Sequence, residues 1–172
     1  MGSNVRAPSW SAEILDELHS LYGPLRRYAA VVGRWDVDPD DLVQEAFAKI
    51  LGSSPGHVRD TRAYLRRTIV NLATNERRRT RRAAAAIGRT GATAGSVDDY
   101  PSELADLMRI EPRVRGLLYL VEVEGEPIGD AADAVGMSAS AARMALSRAR
   151  RRLRDELRDE LRDESNEEQT GD

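Results

Sequence analysis

The chain has 172 residues, a formal net charge of −3, and 32% charged but only 5% aromatic residues. That length holds one medium domain or two small ones, and the scarcity of aromatic side chains favours helical bundles over a β-sandwich. There is no cysteine, which excludes disulfides, thiolate metal sites and cysteine nucleophiles, and His19 and His57 are too few for a histidine metal cluster.

Apolar runs stay well short of the roughly 18 residues that a membrane-spanning helix needs, and no signal peptide stands at the start. The expectation is a cytoplasmic protein without metal, cofactor or membrane segment of its own. The modest net charge hides a segregated pattern. Residues 59–82 carry nine basic and two acidic side chains, and residues 138–154 carry six arginines and no acid. The flanking segments 1–58, 83–137 and 155–172 are net −3, −6 and −7. Two basic blocks in an acidic background point to two anion-binding surfaces, against the plainer reading of solvated helix faces.

In chain order, Trp10, Ile14, Leu15, Leu18 and Leu21 recur at helical spacing, and Gly23-Pro24 signals a break. A second stripe follows in Leu25, Tyr28, Ala29 and Val32. Asp38-Pro39-Asp40-Asp41 supplies an N-cap, a proline at the first helical position and acids in the first turn. The helix it opens carries Leu42, Val43, Ala46, Phe47, Ile50 and Leu51. After the loop at 52–56, Asp60 or Thr61 caps a long helix to about Arg82, with Leu65, Ile69, Leu72 and Ala73 facing inward.

Residues 83–100 are rich in alanine and glycine without a lasting apolar stripe, and read as a flexible linker. The second half resumes at Leu104, Leu107 and Met108 and continues through Val114, Leu117, Leu118 and Val121. Gly125 breaks it. Pro127 starts a short helix with Ile128, Ala131, Ala132 and Val135, and Gly136-Met137-Ser138 turns into a basic helix. A short helix, a tight glycine turn and a longer basic helix form the helix-turn-helix pattern.

On that last helix Ala142, Leu146, Ala149 and Leu153 share an inward face. Arg143, Ser147, Arg150 and Arg154 lie beside it, broadened by Met144, Arg148 and Arg151. Arg143, in the first turns, suits bidentate guanine contact, which lysine cannot copy; Met144 is either a base contact or a packing residue. The earlier basic helix differs in texture. Asn71 among Arg66, Arg67 and Arg77–Arg79 suits reading one unstacked base while phosphates are held. The alternative for Asn71 is a solvent-facing or locally bonded amide.

The stretches PDDLVQEAFAKIL (39–51), RAYLRRTIVNLATNERRR (62–79) and EGEPIGDAADAVGMSASAARMALSRARRRL (124–153) together resemble a group IV (extracytoplasmic-function, ECF) sigma factor. The resemblance covers about 14–82 and 104–157. It implies an all-α chain of two small helical domains: a region 2-like domain (9–82), a linker (83–100), a region 4-like helix-turn-helix domain (101–157) and an acidic tail (158–172). It further implies that Asp41, Gln44 and Glu45 dock on the β′ clamp helices of core RNA polymerase, and that the second domain's earlier helices meet the β flap. Arg62, Arg66, Arg67, Asn71, Arg77 and Arg78 would engage the minus-ten promoter element, and Arg143, Met144, Ser147, Arg148 and Arg151 the minus-thirty-five element. An anti-sigma factor is the further partner it implies. Tyr64 stands where the family usually has tryptophan, Gly129 where a glutamate is usual and Ala142 where a β-branched residue is usual, which leaves the promoter sequence open. The tail repeats LRDE three times from Leu153, and reads as a charged helical arm or as leucines offered to a partner.

Two other classes stay in view. A stand-alone helix-turn-helix regulator accounts for 124–154 but leaves the acidic helix and the first basic helix unused. A nucleic-acid enzyme would need Asp38, Asp40 and Asp41 as metal ligands, where cap and helix-dipole roles explain them better.

Overall fold

The computed structural model describes residues 12–53, 58–88 and 108–170. Trp10, Leu104, Leu107 and residues 89–100 of the expected linker lie outside them.

Helix α1 (Ala12–Val32) runs unbroken through Gly23-Pro24, where the sequence signalled a stop. An interior proline forfeits a backbone hydrogen bond and crowds the preceding turn, costing about 3 kcal/mol. Against this, Leu18, Leu21, Leu25, Tyr28, Ala29 and Val32 are all buried along one continuous stripe, each large side chain contributing about 1.5–3 kcal/mol. Burial wins.

Helix α2 (Pro39–Leu51) starts where its cap predicts. The Asp38 carboxylate accepts the Asp40 N–H at 2.9 Å, and Pro39 fills the first turn, where its missing N–H costs nothing. Leu42, Val43, Ala46 and Ile50 are buried. Phe47 is half-buried and meets Tyr22 edge-on at 6.4 Å between ring centroids. Helix α3 (Thr61–Gly88) is opened by Asp60, whose carboxylate accepts the Ala63 N–H at 2.8 Å. It continues past Arg82 through the alanine run at 83–86, a sequence with high helix propensity.

Helix α4 (Pro112–Leu118) passes into a π-helical turn (Tyr119–Val123), closed by the Glu124 N–H on the Tyr119 carbonyl at 3.1 Å. Helix α5 (Ile128–Val135) ends at Gly136, whose φ of 72° lies in the left-handed region that favours glycine. The Met137 N–H returns to the Ala132 carbonyl at 2.9 Å. Helix α6 (Ala139–Thr170) then begins with the Ser138 hydroxyl accepting the Ala141 N–H at 3.2 Å. The expected helix-turn-helix is therefore present, with Ala142, Leu146 and Ala149 turned inward.

The described residues form only helices, turns and loops. The two expected helical domains pack on one another through one continuous core. Buried residues of α1, α2 and α3 are continuous with those of α4, α5 and α6. Helix α3 lies between the halves, touching α4 and α5, while the C-terminal end of α1 rests on α4. Tyr28 and Tyr119 meet across this junction at 6.0 Å between ring centroids.

Candidate nucleic-acid interface

Helix α6 presents its expected reading face openly. Arg143, Met144, Ser147, Arg148 and Arg151 are all exposed, Met144 by 55%. The inward alanines and Leu146 fix this orientation, because the opposite side of the same helix must be polar. Arg150, one position from that face, is held by Glu122 of the π turn through its Nε at 2.8 Å. Arg152 pairs with Glu156 one turn on, at 2.6 Å.

Helix α3 is in the opposite condition. Arg62 is exposed at its first turn, but Arg66 is buried at 4% exposure between the carboxylates of Glu124 and Glu126. Arg67 lies over the Gly136 turn of the helix-turn-helix, where a Cβ on the glycine would sit 3.5 Å from the Arg67 Nε. The Asn71 Oδ1 accepts from Arg113 at 3.2 Å. Arg77 donates to the carbonyls of Ile110 and Arg109, each at 3.0 Å. Burial, with Arg81 close by, draws the Arg77 pKa below the usual guanidinium range. Arg78 is exposed and lines a small cleft with Arg81 and Arg113.

The acidic helix α2 exposes Asp41, Gln44 and Glu45 on one side. Asp41 and Glu45, with Asp36, Asp38, Glu76 and Arg79, line an open groove of about 580 Å³ between α2 and α3. Glu45 also bridges to Lys49 at 3.2 Å. Asp40 points elsewhere: it accepts from the Tyr22 hydroxyl at 2.7 Å and the Arg26 Nε at 2.9 Å, and these donors hold its carboxyl below the usual range. Asp38 caps α2. The three aspartates thus serve three different tasks.

Sequence reasoning passed over the residues that join the halves. Arg115 is 2% exposed, and its guanidinium donates to the carbonyls of Val31, Val32 and Gly33 at 2.6–2.8 Å, and of Ile110 at 2.8 Å. It thereby satisfies orphan carbonyls at the end of α1, where the helix dipole also favours a cation. The only sequence signal was an arginine set within the apolar pattern Val114–Leu118. Glu124 and Glu126 carried none beyond their charge.

A model of sigma-70 region 2 matches residues 16–83, and a model of sigma-70, region 4 matches residues 107–153. The chain belongs to the sigma-70 family, with the two regions that make up a group IV (ECF) sigma factor, a non-enzymatic subunit that directs RNA polymerase to promoters. Its fold is similar to that in the co-crystal structure of the sigma factor RpoE with the anti-sigma factor NepR from Bartonella quintana, at a TM-score of 0.61 and 22% identity. That similarity covers 86% of this chain and 98% of the other. No curated protein sequence matches. None of the helices is long and apolar enough to cross a membrane, among the described residues.

Proposed function

We propose that promoter recognition is divided between α6, which reads the minus-thirty-five element in the major groove, and α3, which holds the opened minus-ten strand. The exposed arginine face of α6, fixed by its buried alanine-leucine face, is the observation that carries this reading. Arg143 is placed for a guanine edge, while Arg148 and Arg151, one and two turns on, meet phosphates. On α3, Arg62, Arg66, Arg67, Arg77 and Arg78 supply phosphate contacts around Asn71, whose amide pairs with the edge of an unstacked base.

The groove beside α2, with Asp41 and Glu45 in its wall and Gln44 next to it, receives a basic surface of core polymerase, the β′ clamp helices, and α4 with the π turn faces the β flap. Acidic groups along one exposed edge suit such a partner and speed its docking. An anti-sigma factor is the remaining partner, in line with the one crystallised with RpoE. The units 9–82 and 101–157, with 83–100 between and 158–172 as a tail, are the functional divisions on this reading. Tethering lets two weak elements act together through effective concentration.

Run-off transcription with purified core polymerase on a genomic template pool tests the assignment. Arg143→Ala should relax selection at one base position of the upstream element, and Asn71→Ala should slow opening. Initiation unchanged in the double variant would overturn the residue assignments.

A further inference from the structure

Between the end of α1 and the cap of α2 the chain turns a tight corner with an indole at its tip. Trp35 is 67% exposed, although an indole is among the largest apolar surfaces a side chain can offer. The corner is firmly built. Arg34 grips the Asp36 carboxylate with two nitrogens, Nε on one oxygen and Nη2 on the other, each at 2.8 Å. The Val37 N–H closes onto the Arg34 carbonyl at 3.1 Å, which makes Trp35 and Asp36 the central residues of a turn. Gly33 lets the chain leave α1 over Leu42, since a Cβ there would meet the Ala29 carbonyl oxygen at 2.8 Å and the Leu42 Cδ1 at 3.1 Å.

A single exposed apolar residue needs no account. Trp35 is set apart by its neighbours. Asp36, Val37 and Asp38, which follow it directly, line the groove between α2 and α3 together with Asp41 and Glu45. An electron-rich ring thus stands next to an acidic wall. Neither basic helix carries it, and Met144, the exposed apolar side chain of α6, belongs to the other surface. A cation is the chemistry that both features favour. An arginine can lay its guanidinium on the indole face and still donate to a carboxylate, which a lysine ammonium does less well. A tryptophan held in place before binding also loses little entropy on docking, and tryptophan is enriched among the residues that dominate interfaces.

We infer that Trp35 is the anchor of the polymerase contact: an arginine of the basic surface that docks on α2 stacks on its indole, while Asp41 and Glu45 pair with neighbouring cations. The inference rests on the reading of the α2 groove as the polymerase-binding site, and adds to it the side chain that holds most tightly. The carboxylates steer the two surfaces together and are screened by salt. The indole, once covered, governs how slowly they part. Loss of Trp35 should accordingly raise the dissociation rate, whereas loss of the Asp41 charge should lower the association rate.

Anisotropy and stopped-flow binding of the full chain, labelled at its amino terminus, to purified core polymerase test this. Trp35→Ala should weaken binding roughly thirtyfold, mostly through faster dissociation, as loss of a tryptophan hot spot does. Trp35→Phe, which keeps a smaller ring, should lie between that variant and wild type. Leu15→Ala, at another exposed apolar position (49%), should match wild type. All three should bind a minus-thirty-five duplex as wild type does, which shows that they fold. Trp10 and Trp35 are the two tryptophans of the chain, so in the Trp10→Phe protein fluorinated tryptophans alter Trp35 alone. Affinity for core should fall step by step with each added fluorine, because fluorine drains the ring of the charge that attracts a cation; a flat series would overturn the stacked arginine. A Trp35→Ala chain that binds core like wild type, or no worse than Leu15→Ala, while Asp41→Asn associates more slowly, would overturn the anchor and leave the groove assignment standing. If neither Trp35→Ala nor Asp41→Asn changes core binding, or wild type binds none, the groove assignment falls and the inference with it.

Discussion

Gly116 of α4 lies so close to Tyr28 of α1 that a Cβ on the glycine would stand 2.5 Å from the tyrosine oxygen and 3.1 Å from its Cζ. Tyr28 is fully buried and its hydroxyl has no hydrogen-bond partner among the described residues. Burial raises the pKa of that hydroxyl well above the usual tyrosine value, so it stays neutral.

Gly116→Ala should therefore strain the junction between the halves, lowering full-chain stability by about 1–3 kcal/mol, as overpacking does. Tyr28→Phe removes an unsatisfied polar atom and should be neutral or slightly stabilising. The double variant should recover much of the loss, because the phenyl ring has no oxygen to clash. Chemical denaturation of the four proteins in one mutant cycle checks this; additive losses would refute the contact.

Arg115→Lys tests the guanidinium at the end of α1. An ammonium lacks the planar fork that serves several carbonyls at once, and burying unmet carbonyls costs about 1–3 kcal/mol. Denaturation should show a loss in that range. Hydrogen exchange at the α1 C-terminus should rise with it.

Arg148→Ala on α6 should weaken binding to minus-thirty-five duplexes across sequences, and reduce the slope of log affinity against log salt by about 0.9, the value for one lost phosphate contact. Arg143→Ala should instead relax selectivity at one base position, by about 1–3 kcal/mol of discrimination. Fluorescence anisotropy over a salt series with single-base variants separates the two.

Asp40 offers a pH test at the α1–α2 contact. Its folded pKa lies below the usual aspartate value, chiefly through the Tyr22 hydroxyl and then Arg26. Its stabilising contribution is thus present above the unfolded pKa and lost as pH falls through the folded one. Tyr22→Phe removes the hydroxyl donor, so the Asp40 titration should move up toward the ordinary carboxylate range. Carboxyl-carbon NMR titration of the two proteins reads the shift, and coincident curves would disprove the contact.

Local rules accounted for the starts and faces of most helices. Asp38-Pro39 marked the beginning of α2, Gly136 the turn before α6, and Ala142, Leu146 and Ala149 its buried side. These follow from backbone groups and side-chain periodicity within a few residues. Pro24 misled for the complementary reason: a breaker is a local preference, and the stripe from Leu18 to Val32 exceeded it once packed. The candidate DNA residues were legible as types at positions, but not in their state. Arg62 and Arg66 look alike in sequence, yet one is exposed and the other enclosed by carboxylates about sixty residues away.

The amino-acid order by itself determined which segments become helices, which faces turn inward, and that two arginine-dense surfaces exist on a chain of sigma type. Only the tertiary structure decided that one surface is open while the other is closed by its own second half. The physical reason is range: caps, periodicity and turns act between neighbours along the chain, whereas the partners of Arg66, Asn71 and Arg115 come from distant segments that meet only when a common apolar core draws them together.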